Sequence, residues 1–186
     1  STKNVALAYN KENALNAICP YFTMFPLEYP NRVLNKHLKD KPVVLDPFCG
    51  RGTTLFSARK LGLSAWGIDS SPVAVTIAKA KLASCGIESP LALAAKLISD
   101  VAPAEMPDTP FFRSAYHQST LRDICALREG LLSLDDETDA SSILRAAALG
   151  CLHGPLPKHV ENAGYFSNQM PRTYASKPDY AVRFWK

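Results

Sequence analysis

A chain of 186 residues, 47% hydrophobic and 20% charged, is long enough to bury one core, so a single domain is expected. No apolar run approaches the roughly 20 residues needed to cross a bilayer, which excludes a membrane-spanning reading. The net charge of +4 is uneven: residues 1–90 carry 11 Lys/Arg against 6 Asp/Glu, residues 91–140 carry 4 against 9, and residues 141–186 carry 6 against 2, so two basic flanks suited to a polyanion enclose an acidic middle.

The first ten residues, Ser1 to Asn10, are too polar for a signal-peptide core, and the cytoplasm is the expected compartment. Pro20, Pro26 and Pro30 predict an irregular, exposed approach to the sheet. Pro42-Val-Val-Leu45 is a short, β-branched apolar run bounded by turn residues and reads as a buried strand ending at Asp46. After a glycine loop, Leu55, Phe56, Ala58, Arg59 and Leu61 recur at helical spacing from Thr53, with Gly62 as the stop. Ala65-Trp-Gly-Ile68 reads as a second buried strand before Asp69-Ser-Ser-Pro72, where Ser71 is a suitable N-cap and Pro72 a suitable first helical residue. The helix from Pro72 is expected to run to about Ser84. Strand, turn, helix, strand, helix is a βαβα unit, which implies an α/β fold with a parallel sheet.

Beyond Gly86 the pattern predicts helices over 91–101, 119–134 and 140–152, with a proline-rich loop over 103–110. The tail 168–178 is polar and carries two prolines, and Asp179-Tyr-Ala-Val-Arg-Phe-Trp185 alternates like a strand start. In the tail, Asn168 and Gln169 carry groups able to read base edges and Arg172 one able to hold a phosphate; a solvated polar loop is the other reading of the same composition. The chain divides into a core at 20–90, a helical insertion at 91–160 and a substrate-side loop and strand at 161–186, all within one domain or fragment.

Some chemistries find no support in the pattern. The five cysteines are odd in number, widely spaced, without a C-x-x-C pair or a histidine at ligand spacing, so no metal site is expected. His37, His117, His153 and His159 are scattered and are assigned no role.

The chemistry concentrates at Asp46-Pro-Phe-Cys-Gly-Arg-Gly-Thr-Thr54. Glycines between a strand and a helix let a ligand approach the main chain, and the helix N-terminus presents its N–H groups. A phosphate loop would need a lysine after Gly52, and a dinucleotide loop a third glycine; positions 53 and 55 are Thr53 and Leu55. Asp69, 23 residues after Asp46, is placed to accept both hydroxyls of an adenosine ribose, with Ser70 beside it. A capped helix start accounts for Asp69-Ser-Ser-Pro72 when it is taken alone.

The run Val43-Val-Leu-Asp-Pro-Phe-Cys-Gly-Arg-Gly-Thr-Thr54 resembles the S-adenosylmethionine loop of DNA methyltransferases that modify exocyclic amines, adenine N6 or cytosine N4. Tyr21-Phe-Thr-Met-Phe-Pro26 resembles that family's other cofactor segment, which ends in Phe-Pro and leads through a helix to the Asp-Pro-Phe loop. The resemblance implies a Rossmann-like methyltransferase fold, here with an incomplete sheet. It implies S-adenosylmethionine as cofactor and DNA as partner, in a restriction-modification or defence setting. It places Thr23, Phe25, Pro26, Asp46, Pro47, Phe48, Cys49, Gly50, Gly52, Thr53 and Thr54 at the cofactor; for Tyr21 and Phe22, packing under a loop stands as the alternative.

The family's catalytic (Asp/Asn/Ser)-Pro-Pro-aromatic motif has no counterpart, because no Pro-Pro dipeptide occurs in the 186 residues. Its polar groups would hold the amine of a flipped base and its ring would stack on that base. Methylation at carbon 5 would need a Pro-Cys nucleophile, whereas Cys19 precedes its proline. Catalytic residues are therefore unassigned. The chain starts without methionine and stops within an apparent strand, which reads as a fragment or one half of a split enzyme. Two rivals stand beside it: a non-catalytic cofactor- or DNA-binding subunit whose partner chain carries the motif, and a nicotinamide-dependent oxidoreductase of the same topology.

Overall fold

The computed structural model describes residues 14–19, 24–115 and 118–151. Thr23, Asn168, Gln169, Arg172 and the strand expected after Asp179 lie outside these residues. Two strands, β1 (Val44–Asp46) and β2 (Ala65–Gly67), pair in parallel with Leu45 opposite Trp66. Parallel neighbours need a crossover, and α2 (Thr53–Lys60) supplies it. Gly62, at φ 69°, ends α2 as expected: its N–H bonds the Arg59 carbonyl at 3.0 Å and the Leu63 N–H bonds the Ala58 carbonyl at 2.9 Å. These are the paired bonds of a Schellman stop.

The next helix, α3 (Pro72–Leu82), starts where the cap chemistry predicts. Ser71 is extended, its hydroxyl accepts the Ala74 N–H at 3.4 Å, and Pro72 occupies the first helical position. Ahead of the sheet, α1 (Glu28–Asn35) and a short 3-10 turn (Leu38–Asp40) precede β1. The irregular approach expected from the prolines is corrected at Pro30, which is buried in the first turn of α1. There a missing N–H leaves no carbonyl unsatisfied. Helix α1 packs on α2, and the Ser57 hydroxyl, fully buried, donates to the Asn31 side-chain oxygen across that contact.

Four helices follow: α4 (Glu88–Asp100), α5 (Pro110–Ala115), α6 (Gln118–Leu132) and α7 (Asp139–Cys151). Three of them match the helical reading within a few residues. The fourth, α5, lies at the end of the expected proline loop, with Pro110 serving as its opening residue. At the start of α7, Thr138 and Ser141 each accept the other's backbone N–H, at 3.1 and 2.9 Å, a reciprocal cap. Leu97, Leu131 and Leu144 form the core of this helical layer. Gly130 lets α4 and α6 come together, because a Cβ there would lie 2.8 Å from the Leu97 Cδ2. Helix α7 also packs along α3, joining the layer to the βαβα unit.

The expectation of buried strands is corrected. Val43, Leu45, Trp66 and Ile68 are 66, 64, 70 and 59% exposed. Among the described residues helices cover one face of the sheet, where Leu55 meets Gly67, and none covers the face that carries these four side chains. No described helix is long and apolar enough to cross a membrane.

Leu144 is 8% exposed and shares its cluster with two other leucines. Leu144→Ala should therefore lower unfolding free energy by about 2–5 kcal/mol, read as a fall in the urea midpoint at unchanged slope.

Candidate functional site

The loop between β1 and α2 is shaped by its own backbone. Ile68 donates its N–H to the Asp46 carbonyl and Cys49 donates to the Ile68 carbonyl, both at 2.9 Å, so the ladder continues past the strand ends. The Asp46 carboxylate turns back to accept the Phe48 N–H at 3.2 Å. Gly50 and Gly52 then take φ of 49° and 70°. At Gly52 the need for glycine is double, since a Cβ would also sit 2.8 Å from the Ala78 Cβ on α3. The loop is thus pressed onto α3, with Thr53 buried at the start of α2 and Thr54 half-buried.

Asp69 ties this loop to the one after β2. One carboxylate oxygen accepts the Gly50 N–H at 2.9 Å and the other accepts the Ser71 N–H at 2.8 Å. Each oxygen keeps further lone-pair capacity. Around this clamp the structure gathers Asp46, Pro47, Phe48, Cys49, Gly50, Gly52, Thr53, Thr54, Asp69 and Ser70 at the carboxyl ends of the two parallel strands. Phe48 projects from it with 88% of its surface exposed.

Cys49 is buried against Gly67, Leu55 and Ala78. Burial pushes its thiol up from the ordinary cysteine range, and the carboxylates of Asp69 and Asp46 push it further. Burial and the two carboxylates thus disfavour the thiolate form of Cys49.

Phe25 and Pro26 are exposed just ahead of α1, with the Phe25 ring edge-on to Tyr29 at 6.1 Å between centroids. Their segment meets the rest of the protein through Met24, whose sulfur accepts from the Lys81 amine at 3.4 Å, while Asn16 accepts from the same amine at 2.9 Å. Lys81 has no exposed surface. Burial, reinforced by repulsion from the nearby Arg51 guanidinium, lowers its pKa to about 7. Arg51, between the two loop glycines, is half-buried, has its own pKa lowered by burial, and its Nε has no hydrogen-bond partner.

Composition and motif reading missed Lys81 and Arg51. The signal for Lys81 was present: Ala74, Ile77, Ala78 and Lys81 recur at spacings of three and four, which puts the lysine on the buried stripe of α3. A mainly apolar cavity of about 340 Å³ beside Met106, Phe112 and Leu121 lies away from this loop, with Arg113 paired to Asp108 at its rim. Among the described residues no cluster of three or more His, Cys, Asp or Glu is arranged to hold a metal ion.

With this geometry in place, comparison with known proteins gives three findings. Residues 3–80 match the model of the N6/N4 DNA methylase family. Type II methyltransferase M.MjaII of Methanocaldococcus jannaschii is 34% identical over 74 residues, covering 40% of this chain and 14% of that enzyme's length. No solved structure matches the chain.

Lys81 generates a pH dependence whose sign is set by burial. Below about pH 7 the amine is protonated folded and unfolded alike. Above it the unfolded chain holds the extra proton, so stability rises with pH. Wild-type unfolding free energy should climb by about 1–2 kcal/mol between roughly pH 7 and 8.5. Lys81→Met should flatten that slope in a series of urea melts; an equal slope in both proteins would contradict the buried-amine account.

Proposed function

From the premise that residues 3–80 belong to the amino-group DNA methylase family, we propose that this chain binds S-adenosylmethionine at the 46–54 loop and Asp69. Bound there, the cofactor serves methyl transfer to adenine N6 or cytosine N4 in DNA. The observation that carries the reading is the Asp69 clamp. It fixes a loop with two left-handed glycines at the carboxyl ends of parallel strands, with a carboxylate that retains acceptor capacity.

The residues present fit an adenosine-bearing cofactor. The spare lone pairs of Asp69 suit two vicinal ribose hydroxyls, and Ser70 is exposed beside them. Phe48 offers an uncovered ring to a purine. Gly50 and Gly52 keep side chains away from the path to the main chain. Phe25 and Pro26 complete the pocket from the segment that Met24 anchors on Lys81, and the family resemblance adds Thr23 to the cofactor residues. The cofactor supplies an electrophilic methyl group on a sulfonium; the protein's part here is to hold it and keep its ribose and base oriented. The sheet is read as part of a Rossmann-like methyltransferase fold.

The groups that must hold the target amine are assigned to residues outside this sequence, since no Pro-Pro dipeptide occurs in the 186 residues. They would be carried by further sequence of the same enzyme or by a partner chain, the second case making this chain a cofactor- or DNA-binding subunit. DNA is the proposed partner, reached through the basic flanks with Asn168, Gln169 and Arg172 on the substrate side, and restriction-modification is the proposed setting.

Asp69→Ala should weaken binding of S-adenosylhomocysteine by about 1.5–3 kcal/mol in calorimetry, the contribution of a pair of charge-assisted hydrogen bonds. Unchanged affinity would remove Asp69 from the ribose site. Binding of NAD by the wild type would favour an oxidoreductase instead.

A further inference from the structure

We propose, on the reading of this chain as part of a DNA methylase, that the outward face of α1 and the turn after it form a docking strip for the sugar-phosphate backbone of duplex DNA. Arg32, Lys36, Lys39 and Lys41 carry it.

Helix geometry makes the strip. Pro30 and Leu34 are buried and Asn31 accepts from Ser57, so the opposite face of α1 is turned outward. Tyr29, Arg32 and Lys36, spaced by three and then four residues, lie on that outward face, and all three are exposed. Lys39 and Lys41, also exposed, extend the strip through the 3-10 turn. Lys41 holds φ at 44°, backbone that favours glycine, so a cation stands where the local conformation favours no side chain.

The charge there is uncompensated. Residues 28–41 carry these four cations against Glu28 and Asp40, and none of the four forms an ion pair with a described residue. Elsewhere the pattern differs: Lys79, Lys96, Arg113 and Arg122 each pair with a carboxylate. Attraction to the carbonyls at a helix C-terminus accounts for a cation in the last turn, but not for four along the segment. The Arg32 guanidinium lies 5.9 Å from the centre of the Tyr29 ring, a contact that orders it without neutralising it.

Spacing selects the partner. A compact anion would engage one or two of these side chains, whereas a chain of repeated charges meets all four. Helix α1 is about 12 Å long, and a DNA strand carries a phosphate about every 3.4 Å of axis, so three or so phosphates fit along it. Lys41 leads into β1, and extended chain from there to Asp46 covers about 17 Å, which places the strip several base pairs from a base held at the 46–54 loop. Contacts of this kind position a duplex without reading its sequence.

The test measures binding of a fluorescent duplex to the full chain at several salt concentrations. The combined variant Arg32→Gln, Lys36→Gln, Lys39→Gln should bind about tenfold or more weakly at low salt, and its slope of log affinity against log salt should shrink by about 2–3. The control Lys96→Gln, Arg113→Gln, Arg122→Gln removes as much charge from paired cations and should bind as the wild type does. An unchanged slope in the first variant overturns the proposal, as does equal weakening in both, which would make net charge the cause. Lysine acetylation of the wild type needs no variant to fold: the duplex should protect Lys36, Lys39 and Lys41 and leave Lys96 as reactive as before. Equal reactivity with and without duplex overturns the strip, as does a wild type that binds no duplex. Binding of S-adenosylhomocysteine, measured separately, decides the cofactor reading in every case.

Discussion

The Asp69 carboxylate does the work of two caps at once. By accepting from Gly50 and from Ser71 it joins the loop after β1 to the loop after β2, so the ends of two parallel strands are fixed to each other by side-chain chemistry as well as by the ladder. A three-residue strand pair has few backbone bonds of its own. The carboxylate compensates, and it does so at the carboxyl ends of the two described strands. Position and rigidity of the candidate site therefore have a common source.

The clamp depends on close packing behind it. Gly52 can lie against Ala78 because neither residue carries more than a methyl group, and Ala78 is held there by the burial of α3 against α7. Lengthening either side chain would push the loop off the helix and stretch the Gly50 contact with Asp69. In this sense the helical layer supports the loop without supplying any group to it. The thiol of Cys49, buried at the same junction, is used for its size and apolarity and not for its reactivity.

Much of this is legible in the residues. The stop at Gly62, the cap at Ser71 and the two left-handed glycines each follow from local chemistry that tertiary context does not override. The pairing of Asp69 with the 46–54 loop follows from the length of one helical crossover. Burial is less legible. Val43, Leu45, Trp66 and Ile68 are suited to a core, but suitability does not reveal whether a second layer is present, and here these side chains are exposed. The reverse failure occurs on α3, where Lys81 belongs to no motif and so escapes notice, although periodicity places it inside. Pro30 misleads for a related reason: a proline marks irregular chain only when it falls beyond the first helical turn.

The acidic middle of the chain also has a structural account. Glu137 pairs with Lys79 on α3, Asp139 accepts the Ser84 N–H at 2.8 Å, and Glu129 accepts the Ala104 N–H at 3.0 Å. Two of these carboxylates fasten the start of α7 to α3 and to the segment just after it, the same packing that presses Ala78 against Gly52. Such contacts are exposed, so each contributes little alone. Their effect is directional. They act at the start of α7, while further along that helix the buried Leu144 packs with Leu97 and Leu131 and ties it to α4 and α6. Charge in this region thus orients the support of the loop.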